Sequence, residues 1–314
     1  MDMSDAIRTH ELRGAYRQDE PMAKHVSWRA GGRARHFYQP ADVADLCEFL
    51  RTLGGSTPIL FVGLGSNLLV RDGGFNGAVV FTHHALTGIE SKVPLRFHAA
   101  AGVPAPHLAR FVARHGGAGA EWMAGVPGTV GGALAMNAGC YGGETWNHVV
   151  SVETVDRMGE RHVREPGEYE TGYRHVRDKS NREEWFIAAN FRFDAGDEKT
   201  AMTRMRELLA KRVATQPLSQ PNAGSVFRNP DGSHAARHIE ACGLKGFTIG
   251  GAQVSPKHAN FIVNLGGASA ADIEAVIDHV QATVAVKAGV NLIREVRIVG
   301  DRGQPPRGQD SNDP

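Results

Sequence analysis

The chain has 314 residues, 41% hydrophobic and 22% charged, a soluble globular composition long enough for about two or three domains with real cores. Its 35 Lys and Arg against 34 Asp and Glu leave a formal charge of +1, which excludes a nucleic-acid binder working through a broad basic surface. Cys47, Cys140 and Cys242 are odd in number and far apart, so neither a disulfide scaffold nor a zinc site is expected, and a reducing compartment fits.

Residues 1–24 carry charges throughout without an apolar core, which reads as an N-terminal extension and not a signal peptide. No stretch approaches the roughly 18 consecutive apolar residues of a membrane span, so the chain is expected to be cytoplasmic with no membrane partner. Ala41 to Leu53 reads as an amphipathic helix, with Val43, Leu46 and Leu50 on one face and Gly54 as its stop. Pro58 to Gly63, Leu68 to Val70, Gly77 to Thr82 and Leu95 to Ala101 read as strands, and Leu108, Phe111 and Val112 mark a helix ending near Gly116. Val149 to Asp156 and Trp185 to Phe193 predict further strands.

The polar stretch Asp194 to Thr200 predicts a linker, with a domain boundary near residue 197. Beyond it, Met202, Met205, Leu208 and Leu209 mark one helix. Ile273, Val276, Ile277, Val280 and Val284 mark another, with Ser269 as N-cap and Gly289 as C-terminal stop. Leu292 to Val299 carries a strong β pattern, and residues 301–314 read as a disordered tail. The class is therefore mixed α and β, an α+β fold with a domain over residues 25–196 and a second over 197–300.

Candidate chemistry lies in a few segments. In GLGSNLLVRDGGF, the residues Gly63, Leu64, Gly65, Ser66, Asn67 and Leu68 form a small-residue turn whose N–H groups can converge on a phosphate, while a plain glycine hairpin fits equally well. A Walker loop is excluded by the missing Lys-Ser/Thr ending, and a Rossmann loop by the strand that follows. In GVPGTVGGALAMNAG, the residues Gly125, Val126, Pro127, Gly128, Gly131, Gly132, Asn137, Ala138 and Gly139 would let backbone lie against a ring system or a pyrophosphate; tight helix packing is the alternative. Arg174, beside Tyr173, can grip a carboxylate through two N–H groups, although such a pair in a polar loop is usually a surface feature. Ser225 follows Ala223 and Gly224, where small neighbours allow a ligand close, with no GxSxG elbow to make it a hydrolase nucleophile; taken alone, a hydroxyl that caps a turn is the better reading. Glu295, read within a β-branched strand, must be paired, protonated or functional. The 15 histidines show no metal spacing, so no metal is expected, and His83-His84 would point to opposite faces of any strand.

Taken together with SWRAGGRAR (Ser27 to Arg35), NAGSVFRNP, GLKGFTIGGAQVSPKHANFIVN (Gly243 to Asn264) and the final REVRIVG, these segments resemble the UDP-N-acetylenolpyruvoylglucosamine reductase family from about His25 to Gly300. The resemblance implies an FAD-binding domain (PCMH-type) with the vanillyl-alcohol-oxidase-like fold in two subdomains, then a C-terminal α/β substrate-binding domain. It implies that NADPH passes hydride to FAD. Reduced flavin then delivers it from N5 to the β-carbon of UDP-N-acetylglucosamine enolpyruvate, a step of peptidoglycan precursor synthesis. Arg174 matches the residue that polarises the substrate carboxylate, Glu295 the assisting acid, and Ser225 the proton donor to the α-carbon. Tyr173, Asn229 and Lys245 match positions near the nucleotide sugar.

The loop residues from Gly63 to Leu68 and from Gly125 to Gly139 match the flavin contacts, and a monomer with small-molecule partners and no nucleic acid is expected. The chain departs from the family pattern at Leu64, where a glycine is common and a negative φ is required, and at Ser27-Trp28. The short segment from Arg174 to Trp185 implies the subtype without an inserted tyrosine loop. Rival readings are a flavin oxidase of the same superfamily, against which the absence of His and Cys from Gly63 to Asp72 counts, and a catalytically silent nucleotide-sugar binder.

Overall fold

The computed structural model describes residues 12–303, which leaves residues 1–11 and most of the expected tail outside the described part. The chain divides into two compact units. Among the described residues, unit 1 takes 12–17, 36–66 and 78–218, and unit 2 takes 18–35, 67–77 and 219–303.

Unit 1 is built on sheets covered by helices. Ile59 to Val62 run parallel to Ala78 to Phe81. A five-stranded antiparallel sheet orders Arg161–Arg164, Val149–Asp156, Glu184–Arg192, Arg96–Ala100 and Ile89–Val93. Helix α1 (Val43–Thr52) starts where the Asp42 carboxylate accepts the Asp45 N–H, and it buries Leu46, Phe49 and Leu50. Helix α2 (Ala105–Arg114) buries Leu108 and Val112 at helical spacing, and the short α3 (Val130–Met136) is capped by Thr129. The core of this unit joins Tyr38, Phe49, Phe97, Leu108, Val152, Ile187 and Phe191.

The expected linker is instead a strand and a cap. Asp194–Ala195 pairs with Gly117–Ala118, and the Asp197 carboxylate accepts the Thr200 N–H to start α4 (Glu198–Thr215). Ala201 and Met205 of α4 lie in the core of unit 1, so that unit continues to Leu218. The polarity of residues 194–200 comes from capping and turn residues on a surface element.

Unit 2 packs α5 (Ala235–Ala241) and α6 (Ala270–Ala288) with a three-stranded sheet of Thr248–Ile249, Ala252–Val254 and Ile262–Asn264. Ser269 caps α6 and Gly289 closes it at φ 67°, both as the sequence predicts, and Asp272 completes a capping box with Ser269. Trp28 is fully buried here; its indole N–H donates to the Ile262 carbonyl at 2.8 Å and its carbonyl accepts from Asn264 Nδ2 at 2.9 Å. Of the expected strand from Leu292 to Val299, only Arg297–Val299 forms, parallel to Leu68–Val70. Its partner is three residues long, and Arg294 instead makes an isolated bridge to Phe227. Glu295 therefore lies outside a strand, half-buried.

Candidate active site

In unit 1 the glycines of the two loops divide by purpose. Gly65, at φ 59°, takes the left-handed turn, and Leu64 is not among the left-handed residues, so its side chain costs no backbone strain. Gly63 packs so closely on Thr129 that an added Cβ would meet Oγ1 at 2.2 Å. Gly131 sits against Ala101, donating its N–H to that carbonyl at 2.8 Å, which is the packing role. Gly128 and Gly132 are different. An added Cβ would meet nothing closer than Ser66 Oγ at 3.5 Å or Thr129 Oγ1 at 3.8 Å. Protein packing does not require these two to be glycine, and Gly132 and Pro127 are exposed. They leave bare backbone, at Gly128 beside the Ser66 hydroxyl, with room for a ligand to approach. Val126 and Ala138 spend their N–H groups internally, on Met123 and Ala133. Next to them, burial pushes the Cys140 thiol up to about 11, so it stays protonated at neutral pH.

Tyr173 and Arg174 are the two central residues of a hairpin turn between Tyr169–Gly172 and His175–Asp178. Arg174 has φ 54°. Its guanidinium donates to the Gly139 carbonyl at 2.8 Å and to the Asn137 carbonyl at 3.5 Å, and its Cζ lies 5.2 Å from the centre of the exposed Tyr173 ring. The polar run after it builds the hairpin's base. Arg182 donates to Asp178 and Glu168, each at 2.7 Å, and Arg164 donates to Glu184 at 2.6 Å. Glu184 is nearly buried; burial pushes its carboxyl up, but hydrogen bonds from Arg164 and the Thr154 hydroxyl hold it below the usual range.

In unit 2 the second half of the first loop is tied to the Glu295 segment. Asn67 Nδ2 donates to the Glu295 carbonyl at 3.1 Å, and the Asn67 carbonyl accepts the Arg297 N–H at 3.0 Å. The Glu295 N–H in turn donates to the Val226 carbonyl at 2.8 Å, which brings Ser225 and Glu295 into neighbouring backbone. Asn260, nearly fully buried, grips the same stretch: its Oδ1 accepts the Phe227 N–H at 3.0 Å and its Nδ2 donates to the Phe227 carbonyl at 2.8 Å. The Val226 N–H donates to the Asn260 carbonyl at 2.9 Å, and the Gly224 N–H to Asn222 Oδ1 at 3.0 Å. Ser225 is half-buried, and among the described residues its hydroxyl has no hydrogen-bond partner. Asn229 accepts the Ala235 N–H through Oδ1 at 3.1 Å, and Lys245 pairs with Glu240 at 2.7 Å.

Thr129 and Asn260 were not singled out from the sequence. Thr129 had a signal, a threonine just before a helix of small residues, whereas nothing local marks Asn260 as the partner of Phe227. His83 and His84 correct an expectation: they sit in a turn and their ring centroids are 3.8 Å apart, because His84 adopts φ 63°.

Residues 34–163 match the family model of an FAD binding domain, and residues 216–299 that of the UDP-N-acetylenolpyruvoylglucosamine reductase C-terminal domain. A UDP-N-acetylenolpyruvoylglucosamine reductase of Thiobacillus denitrificans is 55% identical over 304 residues, covering 93% of this chain and 94% of the relative. That of Methylococcus capsulatus is 55% identical over 289 residues, covering 92% and 94%. The crystal structure of the reductase from Thermus caldophilus matches with a TM-score of 0.77 at 30% identity, over 91% of this chain and 99% of that one.

Proposed function

This chain belongs to the UDP-N-acetylenolpyruvoylglucosamine reductase family, and from that membership we infer the roles of its own residues. It is a flavin-dependent oxidoreductase that uses FAD and NADPH to reduce the enolpyruvyl ether of UDP-N-acetylglucosamine enolpyruvate in peptidoglycan precursor synthesis. FAD supplies the hydride that goes to the β-carbon. The protein then has to hold the substrate carboxylate while negative charge moves toward it, and to deliver a proton to the α-carbon.

Arg174 and Glu295 are assigned the first task. An arginine already oriented by the backbone carbonyls of Gly139 and Asn137 keeps its guanidinium in place as charge develops on a carboxylate, without reorganising during the reaction. Ser225 is assigned the second. The observation that carries this assignment is that the backbone on both sides of it is held, the Gly224 N–H by Asn222 and the Val226 N–H by Asn260, while among the described residues its hydroxyl makes no hydrogen bond. A serine is a weak acid, but it needs only to meet a strongly basic carbon at hydrogen-bond distance. The flavin is assigned to the cradle at Gly128 and Gly132 with Leu64, Gly65, Ser66 and Asn67, and the nucleotide sugar to Tyr173, Asn229 and Lys245. Lys245 must exchange its partner Glu240 for that purpose. A cytoplasmic monomer of the subtype without a tyrosine loop completes the proposal.

Ser225→Ala is expected to leave NADPH reduction of the flavin nearly intact and to slow reoxidation by the enolpyruvyl substrate about 100-fold or more, read by stopped-flow absorbance. Equal slowing of both half-reactions would remove Ser225 from its assigned role.

A further inference from the structure

Asn137 belongs to the segment whose residues match the family's flavin contacts, yet its side chain is already occupied. It is nearly fully buried, at 2% exposure. Nδ2 donates to Glu144 Oε2 and to the Gly172 carbonyl, both at 3.0 Å, which uses both amide protons. Oδ1 accepts the Trp146 N–H at 3.1 Å. The residue sits at the C-cap of α3 in the left-handed region, at φ 40° and ψ 52°, a conformation that asparagine tolerates better than most side chains.

What these bonds hold is the hairpin that carries Arg174. Gly172 is the residue immediately before the turn, and it pairs with His175 immediately after it. At its far end the hairpin is fixed by the ion pairs of Arg182. At the turn, the Asn137 amide ties the Gly172 carbonyl to the end of α3. The backbone on either side of that tether then receives the arginine itself, through the carbonyls of Asn137 and Gly139. Below, the Trp146 indole donates to the Leu134 carbonyl at 2.8 Å and packs on Tyr169, so the base on which Asn137 stands is rigid.

We propose that Asn137 is a positioning residue that acts through Arg174, holding the Tyr173-Arg174 turn over the end of α3, and that its amide makes no contact with the flavin. The proposal rests on the assignment of Arg174 to the substrate carboxylate. It goes beyond that assignment by naming what sets the arginine's place.

Asn137→Gly is the decisive variant, because glycine keeps the left-handed cap while removing the tether. In the full-length FAD-loaded enzyme, stopped-flow absorbance reads the two half-reactions separately. Asn137→Gly is expected to retain FAD with an unshifted spectrum and to be reduced by NADPH at nearly the normal rate. Its reoxidation by UDP-N-acetylglucosamine enolpyruvate is expected to slow about 10- to 100-fold, the usual effect of displacing a catalytic group by about 1 Å. Arg174→Ala should slow reoxidation at least as much, and the double variant should be no slower than Arg174→Ala alone.

Loss of FAD, or equal slowing of both half-reactions, would overturn the proposal and make Asn137 a flavin ligand. Additive slowing in the double variant would overturn it while leaving Arg174 in its role. Normal reoxidation in Arg174→Ala would overturn the assignment of Arg174 and the proposal with it. If Asn137→Gly does not fold, the pair Asn137→Asp with Glu144→Gln serves in its place. That pair reverses donor and acceptor between these two side chains, keeps the bond from Trp146 and replaces the tether to Gly172 by a carboxylate oxygen facing its carbonyl, so the same slowing of reoxidation is expected and its absence overturns the proposal.

Discussion

Asn260 shows how much a single side chain can settle. Its amide meets both the N–H and the carbonyl of Phe227, and its own carbonyl takes the Val226 N–H, in a place that water does not reach. Asn260→Ala would leave a buried donor and a buried acceptor unsatisfied, which costs about 2–4 kcal/mol in urea unfolding. Asn260→Asp keeps the acceptor but turns a buried carboxylate oxygen toward the Phe227 carbonyl, and should cost at least as much. Both should slow flavin reoxidation more than flavin reduction, since the segment they release carries Ser225. Residues of this kind are illegible in sequence: Phe227 lies 33 positions from Asn260, and an asparagine between Ala259 and Phe261 has no local signature. Leu64 could be read conditionally, since a side chain there demanded a negative φ, and the structure meets that condition by giving the turn to Gly65.

At the scale of elements, the sequence was informative wherever an end carried its own chemistry. Ser269, Asp272 and Gly289 bound α6 because the caps are local, and the core-facing residues Ile273, Val276, Ile277 and Val280 repeat at helical spacing. The extent of the last strand was not legible, because its length depends on a partner more than 200 positions away. The same holds for the anchor of α6. Asp72 accepts the Ala270 and Ala271 N–H groups at 3.0 and 2.8 Å, and Arg71 grips Glu274 at 2.8 and 2.9 Å. The end of the glycine loop is therefore bolted to the first turns of a distant helix.

Arg71, the first cause, holds the Glu274 carboxyl below its ordinary range against the opposing effect of burial. The unfolded chain thus takes up this proton more readily than the folded one. The pair contributes its full stability above the ordinary glutamate pKa of about 4.3, and loses it as pH falls through the lower folded value. Glu274→Gln should cost about 1–3 kcal/mol in urea at pH 7, with the gap to the unmodified protein closing below about pH 4.

For the whole molecule, the division into units does not follow a single cut in the chain. The core of unit 2 joins Trp28, Ala30 and Leu69 to Val226, Ile262 and Ile277. A fragment spanning residues 219–303 therefore lacks part of its own core. It should show no cooperative unfolding transition by circular dichroism, although the C-terminal family model matches nearly the same residues. Adding FAD to the complete chain should stabilise it, by about 2.7 kcal/mol when free flavin reaches about 100 times its dissociation constant. The mixed fold class and most element types were legible from periodicity and caps. The discontinuous units were not, since nothing in a local pattern reveals that a tryptophan near the start is completed near the end.

The hydrogen bond from Trp28 to Ile262 spans 234 residues, and this has a consequence for synthesis on the ribosome. At the usual rate of about 5–20 residues per second, Trp28 waits roughly 10–50 s for its acceptor to be made. During that interval the indole has no permanent shelter, and the second half of the glycine loop, from Asn67 on, belongs to a unit that does not yet exist. Completion of unit 2 therefore waits at least for residue 262, and burial of Trp28 should mark it as a shift of indole emission to shorter wavelength.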